Sequence, residues 1–272
     1  MENEFFKPIM PKEHGLWVWV FLPIVIGGLC AQGGLSGFYL LLGMVFFGFM
    51  ALTPVRMFYK NKKKGMATAE NVLFWSATFS LLAVIFALLL IVRNPLFTRW
   101  IILMAAGFYV GVRSFHGGFH RDAWFEYGGL SALSIGSLAG AYAVSDRIVL
   151  HDVGVWLLVL LFLVDRTMES RRVARLGGFQ LALADQQAEI AERIKPVFLK
   201  NLVTSFMAML FALAILEKFH IKFALFWPFF PGFVVTLWYY FRPPGTLRRI
   251  GYGELFLALF FTVSFVLISS FY

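Results

Sequence analysis

The sequence contains few charged residues and a single cysteine, and each shortage excludes a class of protein. Charged residues make up 14% of the 272 residues, whereas about 25% is usual in a soluble domain. Hydrophobic residues make up 60% and the mean hydropathy is +0.77, so we expect this chain to fold in a lipid bilayer. The lone Cys30 excludes a disulfide framework and lies in an apolar run, where we expect it to pack in the core.

Several motifs that carry chemistry are missing as well. The sequence has no glycine-rich phosphate loop, no nucleophile elbow and no cysteine–histidine spacing for zinc. It also places no Asp or Glu in the middle of a predicted span. Since proton- and sodium-coupled transporters usually carry an ionisable group near the midplane, this absence counts against coupled transport.

Nine apolar runs predict an all-α integral membrane protein, a single polytopic domain that covers residues 1–272. Each run is close to the 20 or so residues that cross about 30 Å of hydrocarbon. The eighth run contains two prolines, which membrane helices tolerate when neighbouring groups satisfy the freed backbone atoms. The predicted spans are His14–Ala31, Ser36–Tyr59, Glu70–Val92, Leu96–Ser114, Glu126–Ser145, Val153–Glu169, Lys200–Leu216, Phe223–Phe241 and Glu254–Phe271.

The basic residues predict how these spans are oriented. Of the 24 Lys and Arg residues, five fall on one side of the predicted spans and the other 19 on the opposite side. Because cytoplasmic loops carry the excess of Lys and Arg, the N-terminus is predicted to be cytoplasmic and the C-terminus outside. The net charge of +9 comes from short clusters between apolar runs. These clusters fit anionic lipid headgroups, so the bilayer is the expected partner and nucleic acid is not.

The segment from Gly178 to Lys195 predicts a short amphipathic helix in the longest loop. Its apolar residues fall on one helical stripe, with the acidic residues elsewhere. We expect this helix to lie in the cytoplasmic interface or to cap the bundle.

The charged stretch from Val164 to Arg175 ends the sixth span and holds the strongest candidate site. Asp165, Glu169 and Arg172 are spaced i, i+4 and i+7, so on a helix they share one face. Asp165 and Glu169 are candidate acid–base groups or metal ligands.

Charged residues also recur at the predicted cytoplasmic ends of other spans. Carboxylates begin helices and arginines end them, an arrangement that the helix macrodipole favours on its own. The alternative is that these residues form one polar cavity, since ionisable groups at membrane depth usually face the bundle interior. The carboxylates are Glu13, Glu70, Glu126 and Glu254, and the arginines are Arg56, Arg113, Arg166 and Arg242.

The stretch PKEHG, from Pro11 to Gly15, is unusually polar for the entrance to a span. Lys12 can reach lipid headgroups as an interfacial anchor. Glu13 or His14 can instead do acid–base or binding work, because histidine changes charge near neutral pH. The sequence leaves both alternatives open.

PKEHGLW resembles the signature of the YwiC-like proteins, a family of bacterial membrane proteins. The closing segment LRRIGYGELFLALFF, from Leu247 to Phe261, is similar to that family's entry to its last helix. The resemblance implies a multi-pass protein of the bacterial cytoplasmic membrane.

The nine-span layout is also similar to that of the UbiA superfamily of intramembrane prenyltransferases. In that superfamily two aspartate-rich motifs hold Mg²⁺ and an isoprenyl diphosphate, so the resemblance implies magnesium as the cofactor. Asp165 and Glu169 resemble the second motif. The equivalent of the first, from Ala51 to Tyr59, contains no acid and places Arg56 there instead. One carboxylate pair makes a poor magnesium cage, whereas arginine would meet an anion directly.

These observations lead to one function hypothesis and two alternatives. The hypothesis is a UbiA-like scaffold that binds or processes an isoprenoid or other lipid with an anionic head at a cytoplasm-facing pocket, with Glu13, His14, Asp165 and Glu169 as candidate catalytic residues. The alternatives are a transporter of a small anion and an assembly subunit of a membrane complex, and no pattern identifies a protein partner. The candidate residues for the head group are Lys12, Arg56, Tyr59, Arg113, Glu126, Arg166, Arg172 and Glu254.

Overall fold

The computed structural model describes residues 9, 14–66, 70–106, 123–180, 187–241 and 247–270, and these residues form helices and no strand. The helices are α1 (His14–Cys30), α2 (Ser36–Lys63), α3 (Glu70–Arg93), α4 (98–106), α5 (Ala123–Ser145), α6 (Leu150–Gln180), α7 (Gln187–Lys218), α8 (Phe230–Phe241) and α9 (Leu247–Ser270). Two 3₁₀ segments, Pro95–Phe97 and Phe223–Phe229, precede α4 and α8.

Five segments of the described chain are long and apolar enough to cross a membrane. Two shorter apolar helices, Trp17–Cys30 and Pro95–Ala106, accompany them. A multi-pass all-α membrane protein is therefore confirmed, whereas nine spans and the orientation stay predictions. The five segments are Ser36–Lys63, Glu70–Arg93, Pro196–Lys218, Phe223–Phe241 and Gly251–Ser270.

The eighth predicted span shows why its prolines are tolerated. Pro228 lies in the 3₁₀ segment that forms the first part of this span, and Pro231 lies in the first turn of α8. A first-turn proline costs no helical hydrogen bond, because its missing N–H would have had no partner within the helix. The span is consequently continuous in sequence but is built from two helical pieces.

The amphipathic segment predicted over 178–195 falls on the ends of two long helices. Residues 178–180 complete α6, residues 187–195 form the start of α7, and residues 181–186 lie outside the described part. Its place in the membrane interface stays a prediction.

The helices pack around a centre formed by α1, α5, α6 and α9. On one side, α7 packs against α6, the 3₁₀ segment Phe223–Phe229 packs against α9, and α8 packs against both α7 and this segment. On the other side, α2 and α3 form a pair beside α5. Phe162 of α6 stacks on Phe261 of α9 with ring centroids 3.9 Å apart, and Phe229 meets Phe261 edge-on at 5.1 Å. These rings fill the core between α6, α9 and the 3₁₀ segment.

The crossing of α1 and α5 depends on glycine. A Cβ on Gly27 would lie 1.8 Å from the carbonyl oxygen of Ser137, and one on Gly140 would lie 2.4 Å from the carbonyl oxygen of Ile24. Neither distance is compatible with a side chain. In a membrane no hydrophobic effect drives helices together, so their association depends on close packing. Small residues such as these allow the two backbones to come into contact.

Candidate functional site

The charged stretch of α6 begins at the middle of this helix and continues into its second half. α6 has 31 residues, so at about 1.5 Å per residue it is longer than the hydrocarbon core is thick. Asp165 and Glu169 follow fifteen and nineteen residues after Leu150, which places them about 23 and 28 Å along the helix. The predicted face is present, because Asp165, Glu169 and Arg172 all contact residues of neighbouring helices.

Arg166 is the centre of this region and is 1% exposed. Its Nε donates to Oε2 of Glu254 at 3.0 Å and its Nη2 donates to Oε1 of the same carboxylate at 2.9 Å. This two-point pairing joins α6 to α9, and charge-assisted pairs of this geometry are the strongest kind of side-chain hydrogen bond. Nη2 also donates to Oε2 of Glu169, and Oδ2 of Asp165 lies 3.9 Å from Nη1.

α8 completes the surroundings of Arg166 with two small residues. Nη1 of Arg166 donates to the carbonyl oxygen of Gly232 at 3.2 Å and to Oγ1 of Thr236 at 3.4 Å. A Cβ on Gly232 would lie 3.1 Å from Nη1, so glycine leaves the room that the guanidinium occupies. Thr236 in turn donates to Oε2 of Glu169 and to the carbonyl oxygen of Gly232.

We call this group of residues the Arg166 cluster; it consists of Asp165, Arg166, Glu169, Thr236 and Glu254. Its acidic groups outnumber its basic group. Three carboxylates surround one guanidinium, and each of the four charged residues is less than 10% exposed. Oε1 of Glu169 is buried and has no hydrogen-bond partner in the described structure. Because burial of an unpartnered polar atom costs free energy, this oxygen destabilises the cluster.

A second polar contact region joins α6 to α7. Oδ1 of Asp165 accepts from Oγ of Ser205 at 2.9 Å. About two helical turns further along α6, Nη1 of Arg172 donates to Oδ1 of Asn201 at 3.0 Å and to Oγ1 of Thr204 at 2.9 Å. Asn201 is 1% exposed, and its Nδ2 has no hydrogen-bond partner in the described structure. Arg172 orients this amide, since an NH₂ group facing the guanidinium would put two donors together.

The structure brings together four of the residues predicted for the site and places others elsewhere. Asp165, Arg166, Glu169 and Glu254 form one cluster, with Arg172 on the same helix. Arg56 and Tyr59 lie on α2, which packs against α3 and α5 in the other part of the bundle. Lys12, Glu13 and Arg113 lie outside the described residues, and His14 and Glu126 are helical residues whose side chains are not described.

Sequence reasoning missed the uncharged partners of the cluster. These are Gly232 and Thr236 on α8, and Asn201, Thr204 and Ser205 on α7. A signal was present for α7, since Asn201 and Ser205 are polar residues at i and i+4 in an otherwise apolar segment. Thr236 carried no comparable signal, because a single threonine in a membrane helix bonds most often to its own backbone.

The carboxylates of this region do not fit a magnesium site. Among the described residues, no three His, Cys, Asp or Glu side chains are placed to hold a metal ion. Glu169 and Glu254 face Arg166, and Asp165 accepts from Ser205. Since Mg²⁺ needs near-octahedral oxygen ligation, the described carboxylates support no step through this metal.

Comparison with known families agrees with the resemblance over nearly half of the chain. Residues 10–141 match the family model of the YwiC-like proteins. This match covers the PKEHG stretch and helices α1 to α4, together with most of α5. It ends before the Arg166 cluster, which the remaining part of the chain contributes. The comparisons with curated proteins and with solved structures gave no match.

Proposed function

We propose that the whole chain is a YwiC-like multi-pass protein that binds an amphiphile with an anionic head where α6 and α7 meet at the cytoplasmic side. Membership over the full length rests on the match of residues 10–141 together with the continuous run of apolar helices beyond it. The cytoplasmic placement rests on the Lys and Arg asymmetry of the loops.

The observation that carries the proposal is the pair of donors formed by Arg172 and Asn201. The Arg172 guanidinium is half-buried and is held by Asn201 and Thr204, so it is oriented before any ligand arrives. The buried Nδ2 of Asn201, on the amide that Arg172 contacts, is a donor that meets no acceptor among the described residues. A carboxylate or phosphate oxygen accepts from such a guanidinium and such an amide together, and arginine suits these groups through its planar fork.

The Arg166 cluster supports this site without contacting the ligand. Five donor contacts of Arg166 are directed at four residues, Glu254, Glu169, Gly232 and Thr236. We therefore assign the head group to Arg172 and give Arg166 the role of fixing α6 against α8 and α9. Asp165 and Glu169 both face Arg166 and remain candidates for acid–base work on a bound head.

The tail of the ligand would lie on the apolar surface of α7. Leu199, Val203, Phe206 and Leu210 are between 44% and 51% exposed and follow one another at helical spacing. Val203 and Thr204 are neighbours in α7, so this stripe passes next to the residue that contacts Arg172. An amphiphile with its head at Arg172 could thus extend its chain along a surface that already faces lipid.

Native mass spectrometry of the purified protein with geranyl diphosphate and with dodecyl phosphate tests the proposal. Arg172→Gln should weaken binding about tenfold, the usual effect of losing one charge-assisted hydrogen bond. Lys200→Gln is the matched control, because Lys200 is an exposed cation on α7, directly before Asn201. Equal affinity of the Arg172→Gln variant and the unmodified protein would contradict the assignment.

The same experiment with and without Mg²⁺ separates two chemistries. Binding without magnesium supports an anion held by arginine. Binding that requires magnesium and is lost in Asp165→Asn would support prenyltransferase-type chemistry and a UbiA-like arrangement, which otherwise stays a prediction. If neither probe binds, anion transport and a role as an assembly subunit become the leading alternatives.

A further inference from the structure

Glu169 is the acid of the Arg166 cluster whose two oxygens have different surroundings. Its side chain is 2% exposed, so the carboxyl group is removed from bulk water. Both donors that reach it, Nη2 of Arg166 and Oγ1 of Thr236, contact the same oxygen, Oε2. Oε1 is buried and meets no donor in the described structure. Since a carboxylate shares its charge between both oxygens, an ionised Glu169 would leave part of a buried charge without a hydrogen bond.

The charged groups around Glu169 leave an excess of negative charge. Arg166 is the cation in contact with it, and two further carboxylates, Asp165 on the same helix and Glu254 on α9, share that cation. Tyr239 of α8 interacts electrostatically with Glu169 and Glu254, but a phenol is neutral near pH 7. With every carboxylate ionised, three acids would therefore face one guanidinium in a buried site, where an unpaired charge is costly.

The remaining neighbours of α6 do not supply the missing positive charge. On α7, Ser205 donates to Asp165 and has no contact with Glu169. Arg172 attracts Asp165 electrostatically, and its hydrogen bonds go to residues of α7. α1 and α5 also pack against α6, and within the described part of the chain neither places a cation in contact with Glu169. Even with Arg172 counted, three acids face two cations, so one positive charge is lacking.

We propose that the Arg166 cluster binds one proton, which resides on Oε1 of Glu169. A proton balances the described charges and needs no coordination shell, whereas these carboxylates do not fit a metal ion. With Oε1 as the hydroxyl oxygen, Oε2 still accepts from Arg166 and Thr236. A neutral hydroxyl group without a partner also costs less to bury than an ionised oxygen without one. This proton site is independent of the amphiphile site, because Arg172 and Asn201 hold no part of the proton.

The position of this proton couples it to the packing of three helices. Glu169 is the twentieth of the 31 residues of α6, and its carboxyl group lies among side chains of α6, α8 and α9. Ionisable groups buried in a membrane bundle are typical of proton relays. Release of the proton would place a second unbalanced carboxylate near Glu254 and would weaken the contact of α6 with α9. Uptake and release of the proton are consequently linked to how tightly α6, α8 and α9 are held together.

Infrared spectroscopy of the purified protein, without any amphiphile, tests this assignment. Exposed Asp and Glu side chains are ionised at about pH 6, so a carbonyl band of a protonated carboxyl group at that pH reports a buried acid. We expect one such band, which shifts in D₂O and is absent from Glu169→Gln. Glu217→Gln is the matched control and should keep the band, because Glu217 is an exposed glutamate on α7.

A second variant separates a proton site from a merely structural residue. Asp165→Asn removes a negative charge beside Glu169, so the proton should be lost at a lower pH than in the unmodified protein. Labelling of the glutamate side chains with ¹³C gives a readout that needs no substitution. The band should move if the proton resides on a glutamate and should stay if it resides on Asp165.

Three results would overturn the proton site. The first is a band that persists in Glu169→Gln, and the second is a band that ¹³C-glutamate does not move. The third is the absence of any protonated carboxyl band at about pH 6 in protein that elutes as a single species. None of these results concerns Arg172, so the amphiphile site is decided separately by its own binding measurements.

Discussion

Arg166 on α6 and Glu254 on α9 are joined by two hydrogen bonds, of 3.0 and 2.9 Å, across 88 residues of sequence. Both residues are buried, at 1% and 6% exposed. A buried pair of this kind does not by itself add stability, since removing charges from water costs several kcal/mol. Its consequence is asymmetric: loss of Arg166 would leave three buried carboxylates without their cation, whereas loss of Glu254 would leave Arg166 with Asp165 and Glu169.

Glu254→Ala should destabilise the protein, because Nε of Arg166 loses its acceptor. Loss of one partner of a buried ion pair costs about 3–5 kcal/mol, and Glu169 and Asp165 offset part of that here. The free energy of unfolding in detergent, followed by circular dichroism during denaturant titration, measures the change. Arg166→Met combined with Glu254→Met should cost less than the two single substitutions added together. Strict additivity would mean that the pair is not coupled.

Ser205→Ala should lower stability by about 1 kcal/mol, the magnitude found for interhelical hydrogen bonds in membranes. The hydroxyl of Ser205 donates to Asp165 from another helix, so its loss leaves a buried carboxylate oxygen without a donor. Thr262→Ala is the control, because Thr262 bonds to the carbonyl oxygen of Ala258 within its own helix. Comparable losses in the two variants would argue against the α6–α7 contact.

Gly27→Ala should weaken the α1–α5 crossing by about 1–3 kcal/mol, the usual cost of overpacking. The added methyl would overlap the backbone of Ser137 rather than a movable side chain. Gly48→Ala in α2 is the matched control, since nothing lies within 4 Å of its Cβ position. Alanine favours a helix over glycine by about 0.5–1 kcal/mol, so this control should be neutral or stabilising. Thermal aggregation midpoints of the two variants distinguish these outcomes.

Asn94→Asp and Asn94→Ala should differ in which contact they remove. Oδ1 of Asn94 accepts from the N–H of Leu96 at 3.0 Å, and Nδ2 donates to Asp146 at 3.0 Å and to Tyr142 at 3.3 Å. Asn94→Ala loses every contact and should cost about 1 kcal/mol or more. Asn94→Asp keeps the cap but places two carboxylates together, so its deficit should shrink as salt screens them. A deficit that salt does not change would contradict this account.

Much of the fold could be predicted from the sequence because lipid imposes a strong constraint on length and composition. The predicted start of the second span, Ser36, coincides with the start of α2, and the third span, predicted to end at Val92, ends at Arg93 in α3. The shared face of Asp165 and Glu169 followed from helical spacing alone. Such features depend on residues that are near in sequence, and helix geometry relates those residues without any knowledge of packing.

The tertiary structure alone decided which partners these residues meet. Arg166 makes its two-point pairing with Glu254, and the donors around the cluster include Thr236 on α8 and Ser205 on α7. In a soluble bundle an apolar stripe would indicate which face turns inward, but in lipid both the inside and the outside of the bundle are apolar. The rotation of each helix is then determined by close contacts, such as Gly27 against Ser137, and by the few buried polar groups. Those contacts join residues far apart in the chain, so sequence spacing could not reveal them.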